Sequence, residues 1–187
     1  METASPIEIY IHIPFCVKKC AYCDFLSGPQ DEETMEQYVL SLLDEIRAHE
    51  SNRELVSSYE VTSIFLGGGT PSILNVGQIQ RIFEILKTSF KISQDAEITI
   101  EANPGTVTRE KLLTYRACGI NRISFGLQST NNAELRLLGR IHTYEEFLES
   151  YQLARACGFD NINVDLISAI PKQTVASWEE TLPSVIK

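Results

Sequence analysis

No apolar run in this sequence approaches the roughly 20 residues that a helix needs to cross a bilayer, so no transmembrane segment is expected. Positive charge is scarce: 16 Lys and Arg against 25 Asp and Glu leave a net charge of −9. A nucleic-acid backbone calls for a basic patch, and this balance argues against such a partner. The opening residues Met1-Glu-Thr-Ala-Ser-Pro6 contain no basic segment followed by an apolar one. No secretory signal is therefore expected, and a cytoplasmic location is the default. Low-complexity tracts and flexible linkers are missing as well. Cysteine is sparse, with five in the chain. In a reducing compartment these stay thiols, which suits metal ligation better than disulfides.

What is present is an ordinary globular balance, 43% hydrophobic and 22% charged over 187 residues. That length supports one domain over residues 1–187 with a substantial core. Strand-like and helix-like stretches alternate. Strands are expected over Ile7–Phe15, Val61–Leu66, Glu97–Glu101, Arg122–Leu127 and Asn161–Ile167. Between them, Thr34–Ala48 places Met35, Tyr38, Val39, Leu42, Leu43 and Ile46 on one helical face. Asn75 with Gln78, and Thr143 with Glu146, have capping-box spacing, and Thr108 is placed to cap a third helix. A last helix is expected to begin near Ser177. Asp31-Glu-Glu33 reads as a helix N-terminus favoured by the macrodipole. The string Arg116-Ala-Cys-Gly119 recurs as Arg155-Ala-Cys-Gly158, a small apolar residue in a last helical turn followed by a glycine cap. Five β–α units in succession imply a parallel sheet with crossover helices. An open doubly wound sheet and a partial barrel both satisfy that pattern.

Three cysteines, Cys16, Cys20 and Cys23, are spaced C-x3-C-x2-C. Soft thiolates favour zinc or iron–sulfur clusters. Closed sites usually have four protein ligands, so three leave a coordination position open. The competing reading is a zinc site completed by His12 or Asp24, although zinc spacings typically pair two cysteines with two more distant ligands. Parallel β/α folds gather ligands at the carboxyl ends of their strands. Here those ends carry the cysteine loop, Gly67-Gly-Gly-Thr-Pro71, Glu101-Ala-Asn-Pro104 and Gly126-Leu-Gln128, and the fifth strand holds Asp165. The glycines admit close backbone approach to a ligand or form a tight turn, but they lack the Lys-Ser/Thr ending of a P-loop. Glu101 and Asp165 read either as salt-bridged carboxylates or as acceptors for ligand hydroxyls, with Gln128 suited to the same role. Arg140 is either an exposed helix-end residue or a bidentate carboxylate partner. His142 reads as a surface histidine, and His12 as a structural one.

Taken together, Tyr10-Ile-His-Ile-Pro-Phe-Cys16, Cys20-Ala-Tyr-Cys-Asp-Phe25, Gly67-Gly-Gly-Thr-Pro71, Glu101-Ala-Asn-Pro-Gly105, Ser124-Phe-Gly-Leu-Gln-Ser129, Gly139-Arg-Ile-His142 and Asn163-Val-Asp-Leu-Ile167 resemble the radical S-adenosylmethionine (SAM) superfamily. Within it they are similar to the oxygen-independent coproporphyrinogen III oxidase group. The resemblance implies a [4Fe–4S] cluster on Cys16, Cys20 and Cys23, with SAM on the fourth iron. It implies SAM carboxylate contacts at Tyr10 and Arg140 and an adenine contact through the Tyr22 backbone. Gly68, Gly69 and Thr70 would line the methionine end, and Glu101, Gln128 and Asp165 would hold ribose or a second ligand. It selects a partial (β/α) barrel, of which five units are here and a sixth unit and C-terminal region are expected to be missing. The oxidases of the group carry a further cysteine two positions after the third, where this chain has Phe25. That departure matches the haem-chaperone branch, HemW and its relatives, which implies haem and a haem-accepting protein as partners, with an electron donor such as a flavodoxin. A second departure lies in Ile167-Ser-Ala-Ile-Pro-Lys-Gln-Thr174, where relatives tend to have Tyr-Gly-Leu-Pro-Gly-Gln-Thr.

Overall fold

A computed structural model describes residues 4–49, 56 and 58–186. Met1–Thr3, on which part of the signal-peptide argument falls, lie outside the described residues. Five strands, β1 (Ser5–Ile13), β2 (Tyr59–Gly68), β3 (Ile92–Ala102), β4 (Arg122–Gln128) and β5 (Asn161–Leu166), form one sheet in the order β1-β2-β3-β4-β5. Every neighbouring pair is parallel. A doubly wound sheet reverses its strand order part-way. This one does not, so the ambiguity left by the sequence resolves to a partial (β/α) barrel.

Among the described residues the α-helices followed from end to end are α1 (Glu32–Ala48), α2 (Val76–Ser89), α3 (Arg109–Cys118), a short α4 (Asn132–Leu137), α5 (Tyr144–Ala156) and α6 (Val175–Val185). Their starts follow local chemistry. Asp31, Thr108 and Thr174 each accept the backbone N–H three residues on. Asn75 with Gln78 and Thr143 with Glu146 complete reciprocal capping boxes. Gly119 and Gly158 take left-handed φ of 98° and 86° beyond buried Cys118 and Cys157, as the repeated string implied. Helix α4 was not expected; Asn131 caps it by accepting from the N–H groups of Ala133 and Glu134. Strand β3 begins five residues before the apolar stretch, because Val61 of β2 pairs with Ile92 whatever the polarity between. Strand β1 stops at Ile13, since Pro14 has no N–H to continue the ladder.

Alternation along each strand sends one face to the helices and the other to the barrel interior. Ile11, Ile13, Ile64, Leu66, Ile100, Ile123 and Phe125 join Val39, Leu43, Ile79, Phe83, Leu112, Tyr115 and Phe147 in one buried cluster. The opposite face is polar and open, with Tyr10, His12, Glu101, Ser124, Asn163 and Asp165 along it. Outside the sheet, Arg81 of α2 grips Glu36 of α1 bidentately at 2.7 Å, and Gln78 adds a third bond at 3.0 Å. Among the described residues no helix is long and apolar enough to cross a membrane.

Candidate functional site

The cysteine loop leaves β1 and is pinned at both sides. An isolated bridge joins Phe15 to Gly28, with Cys16 N donating to Gly28 O (3.1 Å) and Gly28 N to Pro14 O (3.1 Å). The far side docks on the end of α4, where Ala21 N donates to Leu138 O at 2.9 Å. A Cβ on Gly139 would lie 3.0 Å from that same amide, so this close approach requires glycine. Cys16 is buried and Cys20 and Cys23 are half-buried, all as free thiols. Burial pushes the Cys16 thiol up, and a hydrogen bond from Ser27 only partly offsets it. No group of three or more His, Cys, Asp or Glu among the described residues stands close enough to hold a single ion, His12 and Asp24 included.

The glycine run is packed against this loop. Gly69 N donates to Ile13 O at 2.8 Å, and a Cβ there would fall 2.5 Å from the Phe15 carbonyl. Gly68, at φ 115°, donates its N–H to Glu101 Oε2 at 3.0 Å. Burial raises the Glu101 carboxyl above its ordinary range; the Gly68 bond opposes this and the Asp165 charge adds to it. Thr70 is buried and accepts from Asn103 Nδ2 at 2.8 Å. Asp165 accepts from Asn163 (2.8 Å) and Ser124 (3.2 Å), so it is hydrogen-bonded rather than salt-bridged. Gln128, nearly buried, has a left-handed φ of 76° at a shift in the β4–β5 register.

Arg140 is not the exposed helix-end residue that was one option. Its Nη2 donates to Asn103 Oδ1 (2.6 Å) and to the Gly126 carbonyl, its Nη1 approaches Cys20 Sγ at 3.6 Å, and its Nε–H is buried without a partner. Tyr22 lies beside it; burial pushes the phenol up and the Arg140 charge pulls it back. His142, expected at the surface, is instead buried, with Nε2 3.2 Å from the Leu127 carbonyl. The turn after Gly139 carries it under the end of β4, a placement that no sequence period signals.

Cys16, Cys20, Cys23, Tyr22, Gly68, Gly69, Thr70, Glu101, Gln128, Arg140 and Asp165 all line one open cleft. Of the expected site residues Tyr10 does not. Its hydroxyl lies 3.1 Å from His12 Nδ1, its ring stacks on Phe65 at 6.2 Å, and 59% of it is exposed. The cleft also includes Ser124 and Asn103, which the sequence reading gave no role at the site. Ser124 was findable, since it shares a strand face with Gly126. Asn103 stood among the strand-end residues, but its hub position depends on Thr70 and Arg140 arriving from other parts of the chain.

A family model described as the radical SAM superfamily matches residues 10–183. The chain belongs to the radical SAM superfamily. It is 39% identical over 189 residues to the heme chaperone HemW of Haemophilus influenzae, covering 100% of this chain and 49% of that protein. It is 38% identical to the oxygen-independent coproporphyrinogen III oxidase of Salmonella typhimurium, covering 96% of this chain and 39% of that one. Among solved structures, Escherichia coli coproporphyrinogen III oxidase (HemN), a radical SAM enzyme, superposes with a TM-score of 0.86 at 35% identity, over 97% of this chain and 42% of that chain. The chain thus spans about half the length, or less, of these relatives. Radical SAM membership implies a [4Fe–4S] cluster and SAM. The residues fit both: three thiols line the cleft, and the orphan N–H of Arg140 belongs to a side chain lining it.

Proposed function

We propose that this chain is the SAM-binding barrel of a HemW-like haem chaperone. The convergence of every expected site residue except Tyr10 on one cleft supports SAM binding most directly. Zinc spacings typically pair two cysteines with two more distant ligands, so the C-x3-C-x2-C spacing favours a [4Fe–4S] cluster. Cys16, Cys20 and Cys23 would hold it. The Gly68–Thr70 backbone would receive the methionine end of SAM, Arg140 its carboxylate, Tyr22 the adenine, and Glu101, Gln128 and Asp165 the hydroxyl-bearing part. When bound, the cluster would supply one-electron reducing power to SAM. The protein's own contribution is orientation and exclusion of competing reactions. Arg140 contributes to orientation twice, as a cation beside Cys20 and as a brace between the ends of β3 and β4.

Phe25 favours the chaperone branch over the oxidase, because the oxidase pattern has a cysteine there. Haem, a haem-accepting protein and an electron donor such as a flavodoxin are the partners this reading carries, in a cytoplasmic setting where thiols stay reduced. The 38% identity to the oxidase supports a second reading, oxidative decarboxylation of coproporphyrinogen III. The test uses the full-length protein after anaerobic reconstitution. Iron and acid-labile sulfide are expected in near-equal amounts, together with an electron paramagnetic resonance signal that changes on adding SAM. Cys20→Ala should lose both. A zinc-loaded protein without sulfide would refute the cluster, and robust protoporphyrinogen formation would move the assignment to the oxidase.

A further inference from the structure

Glu134, on α4, is a carboxylate only 5% exposed, and the sequence gave no reason to single it out. It does not line the cleft. It accepts from Ser129 Oγ at 2.6 Å, from Gln173 Nε2 at 2.9 Å and from Ser177 Oγ. Ser129 belongs to the loop after β4, while Gln173 and Ser177 belong to the loop after β5 and the start of α6. One buried carboxylate thus joins two neighbouring rim loops. A second tie runs parallel to it, Thr130 to Thr181 at 3.1 Å. The three donors outweigh burial and hold the Glu134 carboxyl below its ordinary range, so it stays ionised at neutral pH.

These loops share another property. Among the described residues the non-glycine positions with positive φ are Gln128 (76°), Ala169 (59°) and Lys172 (69°), and all three lie in the loops that Glu134 joins or at their edge. An L-residue in this region is strained and persists only where its surroundings over-determine it. Ser129, bonded to Glu134, directly follows Gln128, and Gln173 directly follows Lys172. The Gln173 side chain also accepts from Ile170 N at 3.3 Å, and Gln128 O accepts from Ile167 N at 2.9 Å. The strained backbones are therefore anchored at residues adjoining them, and the anchors meet on one carboxylate.

We propose that Glu134 is a positioning residue for the cleft: it clamps the loops after β4 and β5 together and so fixes Gln128 and Asp165 where they meet the ligand. This rests on the SAM-binding reading above. The test uses the full-length, anaerobically reconstituted protein as wild type, as Glu134→Gln and as Ser177→Ala, which removes one donor and is the fallback should the first variant not fold. Amide hydrogen exchange is measured across residues 126–132 and 165–175, and SAM affinity on the unreduced protein by equilibrium dialysis. Losing hydrogen bonds to a charged group should speed exchange in both segments and weaken SAM binding, each by about ten-fold in Glu134→Gln, with Ser177→Ala between it and wild type. Iron and sulfide content should not change. Unaltered exchange in either segment overturns the clamp. So does faster exchange with SAM affinity still within about two-fold of wild type, since that describes a merely structural residue. A wild type that does not bind SAM refutes the functional reading instead, and the exchange comparison then decides the clamp alone.

Discussion

Ala169 and Lys172 stand where relatives of this group tend to carry glycine, and both adopt the left-handed backbone, at φ 59° and 69°. The loop takes a backbone shape suited to glycine and holds it with residues that resist it. Ile170 between them is 3% exposed and anchors the turn. Replacing Lys172 with glycine removes its Cβ conflict at the cost of a more flexible unfolded chain. The expected net gain is about 0.5–1 kcal/mol, a rise of a few degrees in melting temperature. Thermal melts followed by circular dichroism check it. An unchanged or lower midpoint would mean that the Lys172 backbone is not strained.

At the scale of elements, the segment joining α4 to α5 is fixed to the end of β4 by a histidine. His142 is buried against the Leu127 carbonyl, and its pKa is pushed down to about 4, chiefly by burial and then by the Arg140 charge. The Leu127 bond and Glu146 oppose this without reversing it. Between pH 6.5 and about 4 the unfolded chain binds a proton that the folded chain refuses, so stability is full above pH 6.5 and falls as the pH drops through that window. The loss amounts to at most about 3 kcal/mol. Urea denaturation at pH 7 and pH 4.5 measures it, and His142→Asn should flatten the dependence while lowering stability at pH 7. Equal slopes in wild type and variant would contradict the assignment. The sequence indicated the helix starts, because a cap is settled within four residues, as Thr143 and Glu146 illustrate. It did not indicate α4 or the burial of His142, since both depend on what the neighbouring strand brings alongside.

At the scale of the molecule, β1 and β5 end the sheet, each paired on one side only among the described residues. An unpaired edge is a template for pairing with another chain unless something blunts it. Exposed Asp165 and Asn161 give β5 some polar protection, and the alternate residues Ile162 and Val164 are only partly buried. The 187-residue chain is therefore expected to self-associate with rising concentration. Light scattering that reports a clean monomer at high concentration would refute this.

What the sequence determined by itself was local or periodic. The spacing of Cys16, Cys20 and Cys23, the alternation of five strands with helices, the caps, and the gathering of chemistry at strand ends all follow from residues near one another in the chain. Only the tertiary structure decided that the sheet runs in unbroken order, that Tyr10 stacks on Phe65, that Arg140 braces Asn103, and that Glu134 joins two loops. Each of those contacts spans tens of residues or depends on a strand register. Its energy comes from burial and from partners supplied by other elements, and no short window of sequence holds both members of such a pair.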